Sequence, residues 1–123
     1  MRKRYNDEQS PAFQFYANDW ISDTNRLNMT LEEQGLYILL YCHCWRVYKL
    51  PFDYNVLAKL CNTRPSAVKK AWKSMEHLFI VEDKMMYCIQ AEEERDRQIE
   101  NRLKKQKAGK KGAEVRWSDV RQD

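Results

Sequence analysis

The chain has 123 residues, 43% of them hydrophobic, 12% aromatic and 33% charged, with a formal net charge of +4. That length admits one cored domain with an appendage, and the aromatic content excludes disorder over most of it. The mild positive charge is compatible with a nucleic-acid partner, and no apolar run approaches the length that spans a bilayer.

Residues 1–10 are polar and charged and are expected to form a flexible N-terminus. Arg2, Lys3 and Arg4 lead into no apolar segment, so no secretory leader is read and a cytosolic protein is expected. Phe13 and Phe15 alternate with polar or small neighbours, as in a short strand or extended segment. Asn18 or Asp19 is placed to cap a short turn of helix carrying Trp20 and Ile21, and residues 22–28 read as a polar loop.

Thr30-Leu31-Glu32-Glu33 has the form of a capping box, a hydroxyl with a carboxylate three residues on. A helix is predicted from Leu31 to about Val47. Leu36, Leu40, His43 and Val47 form one stripe, and Ile38, Tyr41 and Trp45 a second on nearly the opposite side. A helix apolar on two faces is central. One face is expected to pack on the helices that follow. The other needs a cover, from residues 13–21 or from a second subunit. His43 reads as a buried, hydrogen-bonded structural histidine. Cys42, Cys44, Cys61 and Cys88 read as reduced, buried or half-buried thiols, because Cys42 and Cys44 diverge on one helix, unlike a zinc-binding pair. No metal or cofactor is expected.

Leu50-Pro51 ends that helix and suits a short strand. Asp53 is a good cap for a helix over residues 54–60, with Leu57, Ala58 and Leu60 facing inward. Cys61-Asn62-Thr63 is the turn. Asn62 tolerates a left-handed conformation, Thr63 is placed to cap the next helix, and Pro65 suits its first turn. Over residues 65–77, Val68, Ala71, Trp72 and Met75 define a buried face. Ser66, Lys70, Lys73 and His77 fall opposite, with Lys69 at the flank. Residues 79–81 and 85–89 flank Glu82-Asp83-Lys84 as a hairpin with a three-residue turn.

Two helices about a tight turn, then a hairpin, make a winged helix-turn-helix. The expected class is mainly α with a small β-hairpin (α+β), its domain spanning residues 11–89. The second helix of such a pair enters a DNA major groove. Arg64, Ser66, Lys69, Lys70 and Lys73 are therefore candidate DNA-binding residues. Lys84 joins them as the only basic residue near the hairpin tip, where two acids accompany it.

Residues 90–123 read as a charged helical extension and basic tail. Glu93 with Arg97 and Glu100 with Lys104 are favourable helical pairs, and Ile99 and Leu103 are the apolar residues. The expectation is a long exposed helix or a weak association seam, which leaves a homo-oligomer open. From 102 to 111 every charge is positive: Arg102, Lys104, Lys105, Lys107, Lys110 and Lys111. Such a run serves phosphate affinity or solubility. Gly109 and Gly112 are expected to end helical order, leaving Trp117 alone in a polar tail.

Pro11, Phe13, Phe15, Tyr16, Asp19 and Trp20 open a pattern that continues with Thr30, Leu31, Glu32, Glu33, Gly35 and Tyr37. Leu39, Leu40, Trp45, Leu50-Pro51, Asp53, Leu57-Ala58 and Leu60 follow. The pattern closes on Ala108-Gly109-Lys110-Lys111-Gly112 and Arg116-Trp117. In these residues the chain resembles the YdaU-like family of phage and prophage proteins, also met as the N-terminal part of phage replication organisers. It departs from that pattern at Ala113 and Glu114, where a second glycine and a basic residue are more usual. The resemblance implies a winged-helix architecture, a role in phage DNA replication and the cytoplasm of a bacterial host. It carries over no catalytic residue.

The leading expectation is a DNA-binding winged helix acting in replication initiation on duplex DNA. The alternative is an adaptor that binds a host replication protein, such as a replicative helicase, without touching DNA. The sequence contains no nucleophile elbow, phosphate-binding loop or metal-ligand spacing, so no enzyme and no membrane partner is expected.

Overall fold

The computed structural model describes the backbone of residues 10–122 and the side chains of residues 10–112. The flexible N-terminus expected over residues 1–10 therefore lies, Ser10 apart, outside the described residues, as does the side chain of Trp117. The elements are α1 (Ala17–Ser22), α2 (Thr24–Leu27), α3 (Leu31–Val47), β1 (Leu50–Pro51), α4 (Tyr54–Leu60), α5 (Pro65–Met75), β2 (Phe79–Glu82), β3 (Met85–Cys88) and α6 (Ile89–Gln122), with a 3-10 turn over Glu76–Leu78. The fold is mainly α with a small antiparallel sheet of order β1-β3-β2. Helix, strand, two helices and a hairpin whose second strand pairs with the first strand make a winged helix-turn-helix.

Local chemistry sets most boundaries. Thr30 Oγ1 accepts from Glu33 N at 3.2 Å while Glu33 Oε1 accepts from Thr30 N at 2.8 Å, so the capping box at the start of α3 is complete. At the other end Tyr48 takes φ 74 and ψ −64. Lys49 N bonds Val47 O at 2.9 Å across it, closing a γ-turn of the rare, strained hand. The chain thereby reverses at once, and Leu50 pairs with Met86. Asp53 Oδ1 caps α4 through Asn55 N at 2.7 Å and Val56 N at 3.3 Å. Asn62, at φ 56, ends α4 in a Schellman motif: Thr63 N bonds Ala58 O at 2.9 Å and Asn62 N bonds Lys59 O at 3.3 Å. Thr63 belongs to that motif and does not cap α5. Arg64 occupies the cap position without a side-chain bond, and Pro65 follows at the first helical position.

Two turns differ from expectation. Glu82 pairs with Met85 inside the hairpin, leaving a two-residue Asp83-Lys84 turn with φ 51 and 64, the hand that suits twisted strands. Residues 22–28 are not a plain loop, because Asp23 Oδ1 accepts from Asn25 N at 2.8 Å and caps the short α2. Likewise α1 starts at Ala17, ahead of either expected cap.

The core joins α3, α4, α5 and the sheet. Leu40, Cys44, Leu57, Val68, Met75, Met86 and Cys88 have no exposed surface. Aliphatic side chains of this kind each contribute roughly 1.5–3 kcal/mol on burial. The four positions assigned to the inner face of α5 are all buried, Trp72 included. On α3 the buried set is Leu36, Tyr37, Leu40, Cys44 and Trp45, whereas Val47 is exposed at the helix end. His43 is half-buried, with Nε2 3.0 Å from Leu60 O. The second face of α3 is covered by the chain's own N-terminal segment, extended but paired to no strand. Phe13 meets Tyr41 and Trp45 at 4.7 and 5.5 Å between ring centroids, and Trp20 stacks on Tyr37 at 5.9 Å. Trp45 Nε1 donates to Ser10 O at 3.2 Å.

The largest departure is α6. Its first turns are core: Ala91, Glu92, Glu94 and Arg95 are all buried. Arg95 donates from Nη2 to the carbonyls of Cys44 (3.1 Å) and Trp45 (2.9 Å), and from Nε to Glu92 Oε2 (3.1 Å). Its guanidinium lies 4.8 Å from the Trp45 ring. Arg97 makes its contact ion pair with Glu94 at 3.0 Å, the expected partner Glu93 acting on it only through its charge, while Lys104 pairs with Glu100 at 3.7 Å as its spacing suggests. Helical order does not fade at Gly109 or Gly112 and runs on to Gln122. An anchored start supplies the costly nucleus, and flanking Ala, Lys and Gln offset about 1 kcal/mol lost at each glycine.

Removing the buried cation takes one partner each from Glu92 and from the Cys44 and Trp45 carbonyls. Arg95→Ala should cost on the order of 3–5 kcal/mol in urea unfolding. A loss below about 1 kcal/mol, as for a surface pair, would contradict this role.

Candidate nucleic-acid interface

The buried side of α5 leaves Arg64, Ser66, Lys69, Lys70 and Lys73 exposed on the second helix of the helix-turn-helix. Among the described residues no ion pair engages Arg64, Lys69 or Lys73. Lys70 is different. It lies beside Glu33, whose carboxyl is held below its usual range by the Ser74 hydroxyl, the Thr30 amide and the charge of Lys70. One edge of the lysine face is thus partly neutralised by α3. Lys84 is exposed at the wing tip between its backbone turn and the exposed acids Glu82 and Asp83.

The six cations of residues 102–111 do not form one patch. Helical spacing puts Arg102 and Lys105 on one face and Lys104, Lys107 and Lys111 on nearly the other, with Lys110 between. Arg102 is half-buried and the five lysines are exposed. Nor do they adjoin α5 through packing: α3 packs on both helices, and α5 packs most extensively on α4. The two candidate basic surfaces are separate.

Arg102 and Lys105 line a groove of about 310 Å³ together with Gln14, Tyr16 and Arg97. Tyr16 and Arg97 are not among the residues that the sequence singles out for a site. Arg97 lies 5.4 Å from the Tyr16 ring, and its hydrogen bond to Glu94 holds its pKa above the ordinary value. Glu94 is the buried hub: Gln14 N, the Tyr16 hydroxyl, Arg97 and Gln98 all donate to it. Burial works to raise its pKa, but these four donors outweigh it and leave the carboxyl below its usual 4.5. The one local signal for this cluster is the i, i+3 spacing of Glu94 and Arg97.

The thiols offer no reactive centre. Burial pushes Cys61 and Cys88 up to about 11 and Cys44 higher still, so all three stay protonated at neutral pH. Cys42, expected to be at least half-buried, is exposed on the outer face of α3, although partial desolvation raises it too. Among the described residues no three His, Cys, Asp or Glu side chains gather as a metal site, and no helix is long and apolar enough to cross a membrane.

Because the folded Glu94 carboxyl lies below its unfolded value, its contribution to stability is complete above about pH 4.5 and is lost as pH falls through the folded value. Glu94→Gln should flatten the acid limb of melting temperature against pH. An unchanged limb would show that other carboxylates set it.

Compared with known proteins, residues 11–100 match one family model, described as a protein of unknown function (DUF1376). No curated protein and no solved structure matches the chain. The match takes in the winged helix, the candidate residues of α5 and the wing, and the buried turns of α6, and it ends before the basic run. With most of its length inside that match, the chain belongs to the DUF1376 family.

Proposed function

We propose that the protein is a DNA-binding winged helix of phage or prophage origin that acts in DNA replication initiation in the cytoplasm of its bacterial host. One observation carries the DNA reading: α5 and its cap residue Arg64 turn Arg64, Ser66, Lys69 and Lys73 to solvent, and Arg64, Lys69 and Lys73 have no ion-pair partner among the described residues. An unpaired basic face on a helix of this position suits phosphates and base edges of duplex DNA. The replication setting rests on the resemblance of the opening and closing motifs to YdaU-like proteins.

A second reading has its own support. The wing tip carries Glu82 and Asp83 beside Lys84, and Lys70 is shared with Glu33. Both weaken phosphate affinity and favour an adaptor that docks a host replication protein, such as a replicative helicase.

Neutralising Arg64, Lys69 and Lys73 together should reduce duplex affinity and flatten the salt slope by about 0.9 for each phosphate that is no longer neutralised. Neutralising Arg102, Lys104, Lys105 and Lys107 should weaken binding evenly across sequences, whereas the α5 set should also reduce discrimination. Paired gel shifts on specific and random duplexes at fixed salt read both effects. If both variants bind like the parent, the adaptor reading replaces the DNA reading.

A further inference from the structure

On the α6 side of α3, away from α5, the N-terminal segment and α1 arch over a pocket of about 220 Å³. Its walls are aromatic. Trp20 lies parallel to Tyr37 at an interplanar angle of 7°, Phe15 meets Trp20 at 6.2 Å, and Phe13 meets Tyr41 at 4.7 Å. Asp19, Asp23 and Glu93 also line it. Arg97, the single base in the lining, is already held by Glu94 at 3.0 Å and lies near the Tyr16 ring. Asp23 caps α2; Asp19 and Glu93 form no ion pair at contact distance among the described residues, although the charge of Glu93 acts on Arg97. The lining therefore holds an excess of negative charge beside aromatic rings.

We infer that this pocket binds a single cationic side chain, arginine or lysine, presented by a protein partner. Ring faces attract cations through their quadrupole, and the attraction grows as the cation is desolvated. A carboxylate beside the ring adds charge-assisted hydrogen bonds. An anion would be repelled by three carboxylates, and an uncharged apolar group would desolvate them without compensation. Burial raises the pKa of Tyr37 and Tyr41, so both stay neutral, and their hydroxyls already bond to Gln90. The volume suits one side chain rather than a folded segment. Phe15 and Ile21, 55% and 62% exposed on the same arch, offer the apolar surround that a protein surface would cover and a free amine would not. This inference is independent of DNA binding by α5.

The test is a titration of the whole protein followed by the Trp20 indole NMR signal. The probes are a short arginine-containing peptide, the same peptide with citrulline in place of arginine, N-acetyl-arginine amide, and oligothymidine. The arginine peptide should shift the signal saturably, at least tenfold more tightly than its uncharged citrulline counterpart and more tightly than the lone amide. Asp19→Asn with Glu93→Gln, both exposed positions, should leave the melting temperature unchanged and weaken peptide binding about tenfold. Equal binding of citrulline, no saturable shift, or an unaffected double variant overturns the inference. Binding of the lone amide as tight as the peptide would make this a small-molecule site, and saturation by oligothymidine alone would make it a base-stacking site. Either result refutes the partner reading.

Discussion

The Arg95 guanidinium fixes how the molecule is put together. It is 2% exposed and lies at the C-terminal end of α3, where the helix dipole favours a cation and where it donates to the Trp45 carbonyl and to the Cys44 carbonyl, which also accepts from Tyr48 N at 2.8 Å. Glu92 balances its charge and Trp45 lies close to its face. One nitrogen, Nη1, has no hydrogen-bond partner among the described residues, so the arrangement is costly by the measure of buried charge. What it confers is geometric: one register of α6 on α3 brings both carbonyls and Glu92 within reach together. A leucine there would make none of these hydrogen bonds and discriminate less between registers.

From that anchor follows a molecule with two unlike sides. On one, α3 supports the helix-turn-helix, and α5 shows an amphipathic division with lysines outward. On the other, α6 and the N-terminal segment close over the aromatic face of α3. Gln14 N and Gln98 Nε2 stitch them together, one to Glu94 and the other to Ala12 O. The basic side and the acidic aromatic pocket are kept apart by the same central helix.

Much of the winged helix was legible because its signals are local. Thr30 with Glu33, Asp53, Asn62 and the spacing of Val68, Ala71, Trp72 and Met75 each act within a few residues, and each appears in the fold where the sequence puts it. The need for a cover over Tyr41 and Trp45 was also legible, from a helix too apolar for one face. The burial of Glu92, Glu94 and Arg95 was not. Charged residues at helical spacing read as a solvated face, and the distant groups that favour burial are carbonyls some 50 positions earlier for Arg95 and the Gln14 amide and Tyr16 hydroxyl about 80 positions earlier for Glu94. The misassigned stripe of α3 has the same origin: Tyr37 is buried because Trp20, Phe79 and Cys88 close on it, and Cys44 lies under Arg95 of α6. Of the candidate site, the exposed lysines of α5 were readable from periodicity. The splitting of the 102–111 cations into two faces required knowing that the helix continues through Gly109.

The claim that α6 begins as part of the core is tested most directly by native-state amide hydrogen exchange. Residues 91–98 should exchange in the same slow class as the middle of α3, with protection falling beyond about residue 102, where side chains lose their tertiary partners. Fast exchange at 91–98, alike with the rest of α6, would mean an independent helix merely resting on the domain and would contradict the anchoring role of Arg95.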